Sequence, residues 1–464
     1  MFRYGLTRLR VVEAVIVCAT AGVVYGLVTR TLVFGSDAGR WVYPFVREAT
    51  PDAILVALLF ALGLPLAFEW SARRADSRAP AVVAAWMLLG CCFQIAVRYL
   101  YPIPLGRIVA SVHCNSFFSA TLQHSPLDVI TNYEAVAPAL PMHAQNNMPG
   151  KLFIYYFLEL FSRDPQTLAF GIVALSTLSG ALVFVVARRL FHSGRVATLA
   201  MVLSLIFPAT VAFQPLLNTV TPLFVLVSFW LWTVYLDRRQ DRYLWLLGAS
   251  LYLQLFIDPL TFVLGMVFLG VLAERLARGE FPWAMLWRSA VVPVTGFIGV
   301  HVVMRMTAGF DIVSACVSLL KAAADFNQAA GRPYAVWVVQ NVKEFFLGAG
   351  VAPSLAALLS LYHGCRSMAR EGRRDRSSCV LRRCLAAPGT AFTASFFLSL
   401  LMVNLAGINR GEVTRLWIFL GVFLQLASAQ TLVAHFDEMT ARVSIGAVVV
   451  QTTLTASMVG FLLC

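Results

Sequence analysis

Apolar runs of roughly 20 residues, the length a helix needs to cross hydrocarbon, recur along the whole chain. Short polar turns, most of them carrying arginine, separate these runs. Hydropathy places spans at about 11–34, 53–70, 80–100, 167–187, 196–213, 216–236, 243–257, 259–274, 285–305, 343–362, 386–406, 414–434 and 443–463. The pattern predicts an all-α fold. It is a polytopic membrane helix bundle of about thirteen transmembrane helices, one domain over residues 1–464. Neither an internal repeat nor a pair of inverted halves is evident, which argues mildly against a secondary transporter.

Three loops are long enough to hold more than a turn: 35–52, 101–150 and 306–342. The middle one leads into LFIYYFLELF, an apolar stretch too short to span. Arg3, Arg8 and Arg10 precede the first span and put the N-terminus in the cytoplasm. If residues 151–162 do not cross, Arg188, Arg189, Arg195, Arg238, Arg239, Arg242, Arg275 and Arg278 fall on that same side. So does the cluster Arg366, Arg370, Arg373, Arg374, Arg376, Arg382 and Arg383. We therefore expect a non-spanning or half-inserted helix at 151–162, the three long loops outside, and an extracytoplasmic C-terminus in a plasma (inner) membrane. Within 306–342, the stretch 311–326 has apolar residues at helical spacing and reads as an interfacial helix.

Composition agrees. Of 464 residues 59% are hydrophobic and 13% charged, against about 25% charged in a soluble domain. The net charge of +13 sits in short loops, where positive charge sets topology, so nucleic acid is not an expected partner. All basic residues but Lys151, Lys321 and Lys343 are arginine, a bias of GC-rich bacterial genomes. The cysteines match no zinc spacing. His113, His124 and His143 share no close helical spacing, so a metal is a minor reading.

The external side offers chemistry in four places. The first loop has Asp37, Arg40 and Tyr43; the second has Asp128, Glu134, His143, Asn146, Asn147 and Lys151. Gln214 and Asn218 lie in a turn between spans. A late segment, NRGEVTRLW, puts Arg410, Glu412 and Arg415 at the start of an apolar helix, where charge is costly unless paired or facing a polar cavity. Glu412 and Arg415 stand i,i+3 and can pair. The structural alternatives are an ion pair with an interfacial anchor there, a headgroup anchor for Lys151, and a helix cap or an Arg40 partner for Asp37.

These features together resemble the GT-C type membrane glycosyltransferases, the group that includes protein O-mannosyltransferases and the lipid A aminoarabinose transferase. A carboxylate, Asp37, follows the first span in an external loop. The run HAQNNMPGKLFIYYFLELF passes through a proline turn into an aromatic helix, followed by a span and the basic turn Arg188-Arg189. The segment RGEVTRLW carries late charge into the membrane. The chain departs from the family pattern in three ways. Asp37 is flanked by Ser36 and Ala38 rather than a second acid, Met148-Pro149 stands for Pro-Pro, and two extra spans separate Asp37 from the proline run. Asp128 or Glu134 can therefore replace it as base.

The resemblance implies a donor sugar on polyprenyl phosphate and an extracytoplasmic acceptor: a cell-envelope glycan, a lipid or a protein. It implies a carboxylate general base and cationic stabilisation of the leaving phosphate by Arg410, Arg415 or Lys151. His143, Asn146 and Asn147 would orient sugar hydroxyls. No cofactor is required, and a divalent metal is not excluded. The competing expectations are a lipid or solute transporter, with Asp258-Pro259 as its one candidate helix break, and a non-catalytic assembly subunit.

Overall fold

The computed structural model describes residues 6–374 and 379–463; Arg3 and Arg376, used above for topology, lie outside the described residues. The chain is an all-α bundle. Paired strands among the described residues are confined to a hairpin, Phe34–Ser36 against Trp41–Tyr43, and a bridge between Phe45 and Val459.

Nine helices among the described residues are long and apolar enough to cross a membrane, or ten if the bent pair Tyr334–Ala349 and Val351–Arg366 forms one span. Hydropathy expects thirteen. Each missing span still has a helix, and each falls short for a physical reason. Asp241–Ile257 and Thr390–Ala406 have 17 residues apiece. Glu438–Met458 has 21, but buries Thr440, Ser444, Gln451, Thr452, Thr453, Thr455 and Ser457 against protein rather than lipid. The expected straight span at 343–362 is broken at Gly350, where the two helices meet at 113°. Gly350 has φ 96°, open to glycine and to few other residues. Side chains satisfy the backbone groups freed by the break: Gln425 Nε2 donates to Ala349 O, Gln451 Nε2 to Leu347 O, and Val351 N donates to Gln451 Oε1, all at 2.8–2.9 Å.

The core is built around Gly194–Ile206, buried along nearly its whole length. Gly90 and Gly180 let neighbouring helices approach Leu205 where a Cβ would collide. The helix stops ahead of Pro208, which has no N–H to continue it. Gln94 Nε2 and Thr452 Oγ1 donate to the carbonyls of Leu205 and Ile206 at 2.9 and 2.7 Å.

Ion pairs collect at one end of the bundle. Arg195 bridges Glu69 and Glu438 at 3.0 and 2.7 Å, Arg188 approaches Asp76, and Arg189 and Arg275 share Asp237. Helix Pro165–Phe191 runs from that end to the other, where Gly106 N donates to Gln166 Oε1 at 2.9 Å. Helix Gly150–Glu159 is 10 residues long, about 15 Å. The 101–149 loop binds it throughout: Asn115 to Tyr155, Tyr156 Oη to His124 O at 2.7 Å, and Thr121 to Glu159. It stays at the second end. So does Ile312–Ala329, the expected amphipathic helix, whose Asp311 cap accepts from Val313 N at 2.9 Å.

Candidate functional site

At the second end lies a cavity of about 780 Å³. Its charged floor joins the 143–151 run, the break at Asp258, and the 409–416 turn. Its apolar wall includes Leu319, Leu320, Met402 and Leu463. Leu320, Met402 and Leu463 are also about half exposed, so this wall is accessible rather than packed over.

The first group follows from spacing. His143, Asn147 and Lys151 stand four residues apart across a short helix, the Pro149 turn and the next helix start. Asn147 Nδ2 donates to His143 O at 2.7 Å, and Lys151 Nζ donates to Asn147 Oδ1 at 2.6 Å. Lys151 is 2% exposed and sits 3.7 Å from Asp258 Oδ2. Asp258 is in the break between Asp241–Ile257 and the next turn, where Leu260 N donates to its Oδ1 at 3.2 Å. Burial dominates both pKa values, pushing Lys151 down and Asp258 up, while each partner opposes the other's shift. Gly150 permits this contact, since a Cβ there would collide with the Phe256 backbone.

His143 Nε2 lies 2.7 Å from His113 O. A carbonyl can only accept, so Nε2 carries the hydrogen and Nδ1 keeps its lone pair. Burial, and then the Arg415 charge, hold His143 below the ordinary imidazole value and keep it neutral at pH 7.

The second group is held by the 409–412 turn. Gly411 (φ 90°) and Glu412 (φ 60°) are both left-handed. Asn341 fixes the turn, donating to Asn409 O at 2.9 Å and accepting from Gly411 N at 3.2 Å. Glu412 then faces two guanidiniums, Arg332 Nη2 at 3.0 Å and Arg415 Nη2 at 2.5 Å. Burial works to raise its pKa, but Arg415 and Arg332 outweigh it and hold the carboxyl below its usual value. Arg332 is sandwiched between the Trp41 and Phe326 rings, 4.8 and 5.0 Å away. Arg332 Nε, Arg415 Nε and Trp41 Nε1 are buried donors with no partner among the described residues.

Of the residues singled out in the sequence, Tyr43, His143, Asn146, Asn147, Lys151, Arg410, Glu412 and Arg415 line this cavity. Asp37, Arg40, Asp128, Glu134 and Asn218 are outside its lining. Asp37 is exposed in the turn of the hairpin. Arg40 is exposed and packs against Gly331. Asp128 closes a capping box with Ser125, its Oδ2 accepting from Ser125 Oγ at 2.6 Å. Glu134 accepts from Ser314 Oγ at 2.8 Å and tethers the amphipathic helix. Asn218 lies half-buried in a 3₁₀ turn. The carboxylates that reach the cavity are Asp258 and Glu412 instead. Sequence reasoning met Asp258 only as a helix break and passed over Arg332, in the short link between two helices, and Trp41, at the start of a three-residue strand, neither with a pattern to mark it. Among the described residues no three His, Cys, Asp or Glu side chains gather as a metal would require.

No family model, curated protein or solved structure matches this chain. What the site can do therefore has to come from its own chemistry. Four cations (Lys151, Arg332, Arg410, Arg415) face two carboxylates at one end, and an apolar wall runs from there to the bundle surface. A cavity of this size suits a small or medium ligand, about 300–1,000 Å³ being the usual range.

Proposed function

We propose that the protein is a membrane glycosyltransferase that moves a sugar from a polyprenyl-phosphate donor to an extracytoplasmic acceptor in the cell envelope. The observation that carries this is the amphiphilic cavity: surplus positive charge at its floor and an apolar wall of half-exposed side chains. That combination suits a lipid phosphate whose chain stays in the membrane. The cavity lies on the outer face of a plasma (inner) membrane, with the arginine-rich end in the cytoplasm by the positive-inside rule.

In this reaction the acceptor oxygen bonds to the anomeric carbon as the bond to the phosphate oxygen breaks, with inversion. The departing lipid phosphate takes the bonding pair, and Arg415 and Lys151 stabilise its charge. Two cavity groups can take the acceptor's proton, the neutral imidazole of His143 and the Asp258 carboxylate. Either is worth about 10²–10⁴-fold. Glu412, shared by two guanidiniums, is too weak a base. Asp37, Asp128 and Glu134 have structural partners or full exposure instead.

The test is transfer of radiolabelled sugar from polyprenyl-phosphate donor by purified protein in lipid nanodiscs, alongside a density map with donor bound. Phosphate beside Arg415 and Lys151, with turnover lost in either His143→Gln or Asp258→Asn, supports the proposal. No phosphate density and full tolerance of both substitutions would retire it. A transporter is the second reading, favoured by the helix break at Asp258 beside a charged pair. It requires labelled lipid or solute to cross a proteoliposome membrane without covalent change.

A further inference from the structure

A second cavity of about 530 Å³ adjoins the first. Its polar lining comes from Asn327 and Gln328 at the end of Ile312–Ala329, from Arg332 beyond it, and from Arg410 on the facing turn. Arg332 and Arg410 line both cavities and stand where the two meet, with Leu320, Asn327, Ala406 and Ile408. Each guanidinium holds the other's backbone: Arg332 Nη1 donates to Arg410 O at 2.8 Å, and Arg410 Nη1 to Arg332 O at 3.0 Å.

The charge is lopsided. Asp and Glu are absent from the described lining of the second cavity. Arg332 has Glu412, but on the first cavity's side, since Glu412 lines only that one. Arg410 has no carboxylate within ion-pair distance among the described residues; it donates only to the carbonyls of Gly407 and Arg332 and lies 5.6 Å from the Tyr334 ring. Arg332, 5% exposed, also keeps a buried Nε without a partner. The helix end beside the cavity does not cancel this charge. The carbonyls of Phe326, Asn327 and Gln328 already accept from Ala330, Arg332 and Gly331.

We infer that the second cavity is an anion site, taking a phosphate or carboxylate carried by the acceptor. This assignment to the acceptor rests on the transferase proposal; the anion site itself does not. An acceptor held there would reach the first cavity past Arg332 and Arg410, while the donor enters along the apolar wall.

The test is calorimetric titration of the full chain, in phosphatidylcholine nanodiscs, with glycerol 3-phosphate as a soluble phosphomonoester probe. Saturable binding is expected. Arg410→Gln should weaken it by about tenfold or more, the loss of one charge-assisted hydrogen bond. Arg415→Gln, at a residue that lines only the first cavity, should leave it within about twofold, and Arg410→Lys should retain most of it while unfolding at the parent temperature. Absence of saturable binding, or equal losses in Arg410→Gln and Arg415→Gln, would overturn the site. Repeating the titration in phosphatidylglycerol nanodiscs separates the sources of the anion. Loss of probe binding there assigns the site to bilayer headgroups and overturns the acceptor role; unchanged binding supports it. Because binding needs no turnover, a protein that binds through Arg410 yet transfers no sugar loses the transferase proposal and keeps the anion site.

Discussion

Glu412→Gln is the substitution that bears hardest on the cation cluster. It keeps side-chain volume, removes one negative charge, and replaces one of the two accepting oxygens with an amide that can only donate. Glu412 and Arg415 are 14% and 16% exposed, and Arg332 is 4% exposed. Removing one partner of such a buried set strands the others, at a cost of about 3–5 kcal/mol. Residual solvent around Arg415 pulls the expectation to the lower end, about 3 kcal/mol. The backbone supplies an internal control. Residue 412 sits at φ 60°, which costs a non-glycine residue roughly 1 kcal/mol. Glu412→Gly should therefore destabilise no more than Glu412→Gln, although it deletes the whole side chain. Adding Arg415→Gln to Glu412→Gln should recover about 1–2 kcal/mol, because one stranded charge leaves with its counter-charge. The assay is reversible unfolding in mixed micelles, read by tryptophan fluorescence; Trp41 stacks on Arg332 and Trp417 donates to Asn409. A Glu412→Gln protein within about 0.5 kcal/mol of its parent, or strictly additive losses in the double variant, would refute the account.

Three further outcomes follow from the same geometry. The His143 pKa is lowered in the fold, so the unfolded chain protonates first as pH falls; stability present above about 6.5 should decline below it, and His143→Gln should flatten that decline in unfolding measured from pH 5 to 7. Lys151→Met leaves Asp258 buried without its cation and should cost about 3 kcal/mol, most of it regained in the Lys151→Met/Asp258→Asn double variant. Gly350→Ala forces a Cβ onto φ 96° and should cost roughly 1–3 kcal/mol; an unchanged unfolding midpoint would count against the bend.

Much of this architecture was legible because hydropathy and polarity obey strong rules in lipid. The short length of LFIYYFLELF and the placement of the arginines pointed to a helix that does not cross, and the fold holds it at one end through Tyr155, Tyr156 and Glu159. The polar run at 143–151 likewise announced the cavity floor. Other features leave no periodic signal. A span looks continuous through Gly350, because the glutamines that satisfy the break, Gln425 and Gln451, come from distant helices. Lys151 reads from the sequence as a headgroup anchor or a phosphate-facing cation, and nothing there shows Asp258 beside it. The carboxylates were an uneven guide: Asp128 belongs to a Ser125-Pro-Leu-Asp128 cap that local sequence already spells, and Glu412 pairs with Arg415 at the i,i+3 spacing read from the sequence, whereas Asp258 gains Lys151 and Glu412 gains Arg332 only through tertiary contact.

Residues 41–44 and 460–463 share one wall of the main cavity. They are stitched together by Gly460 N to Pro44 O at 2.7 Å, Val46 N to Met458 O at 2.8 Å, and Tyr101 Oη to Leu462 O at 2.7 Å. During synthesis, the early half of that wall must wait for the late half. At about 5–20 residues per second the delay is on the order of a minute. Throughout it the nascent bundle can insert, pack its central helix and settle its arginines, but the cavity lacks one of its sides. A ribosome that stalls late therefore leaves a packed membrane bundle that lacks one wall of its main pocket.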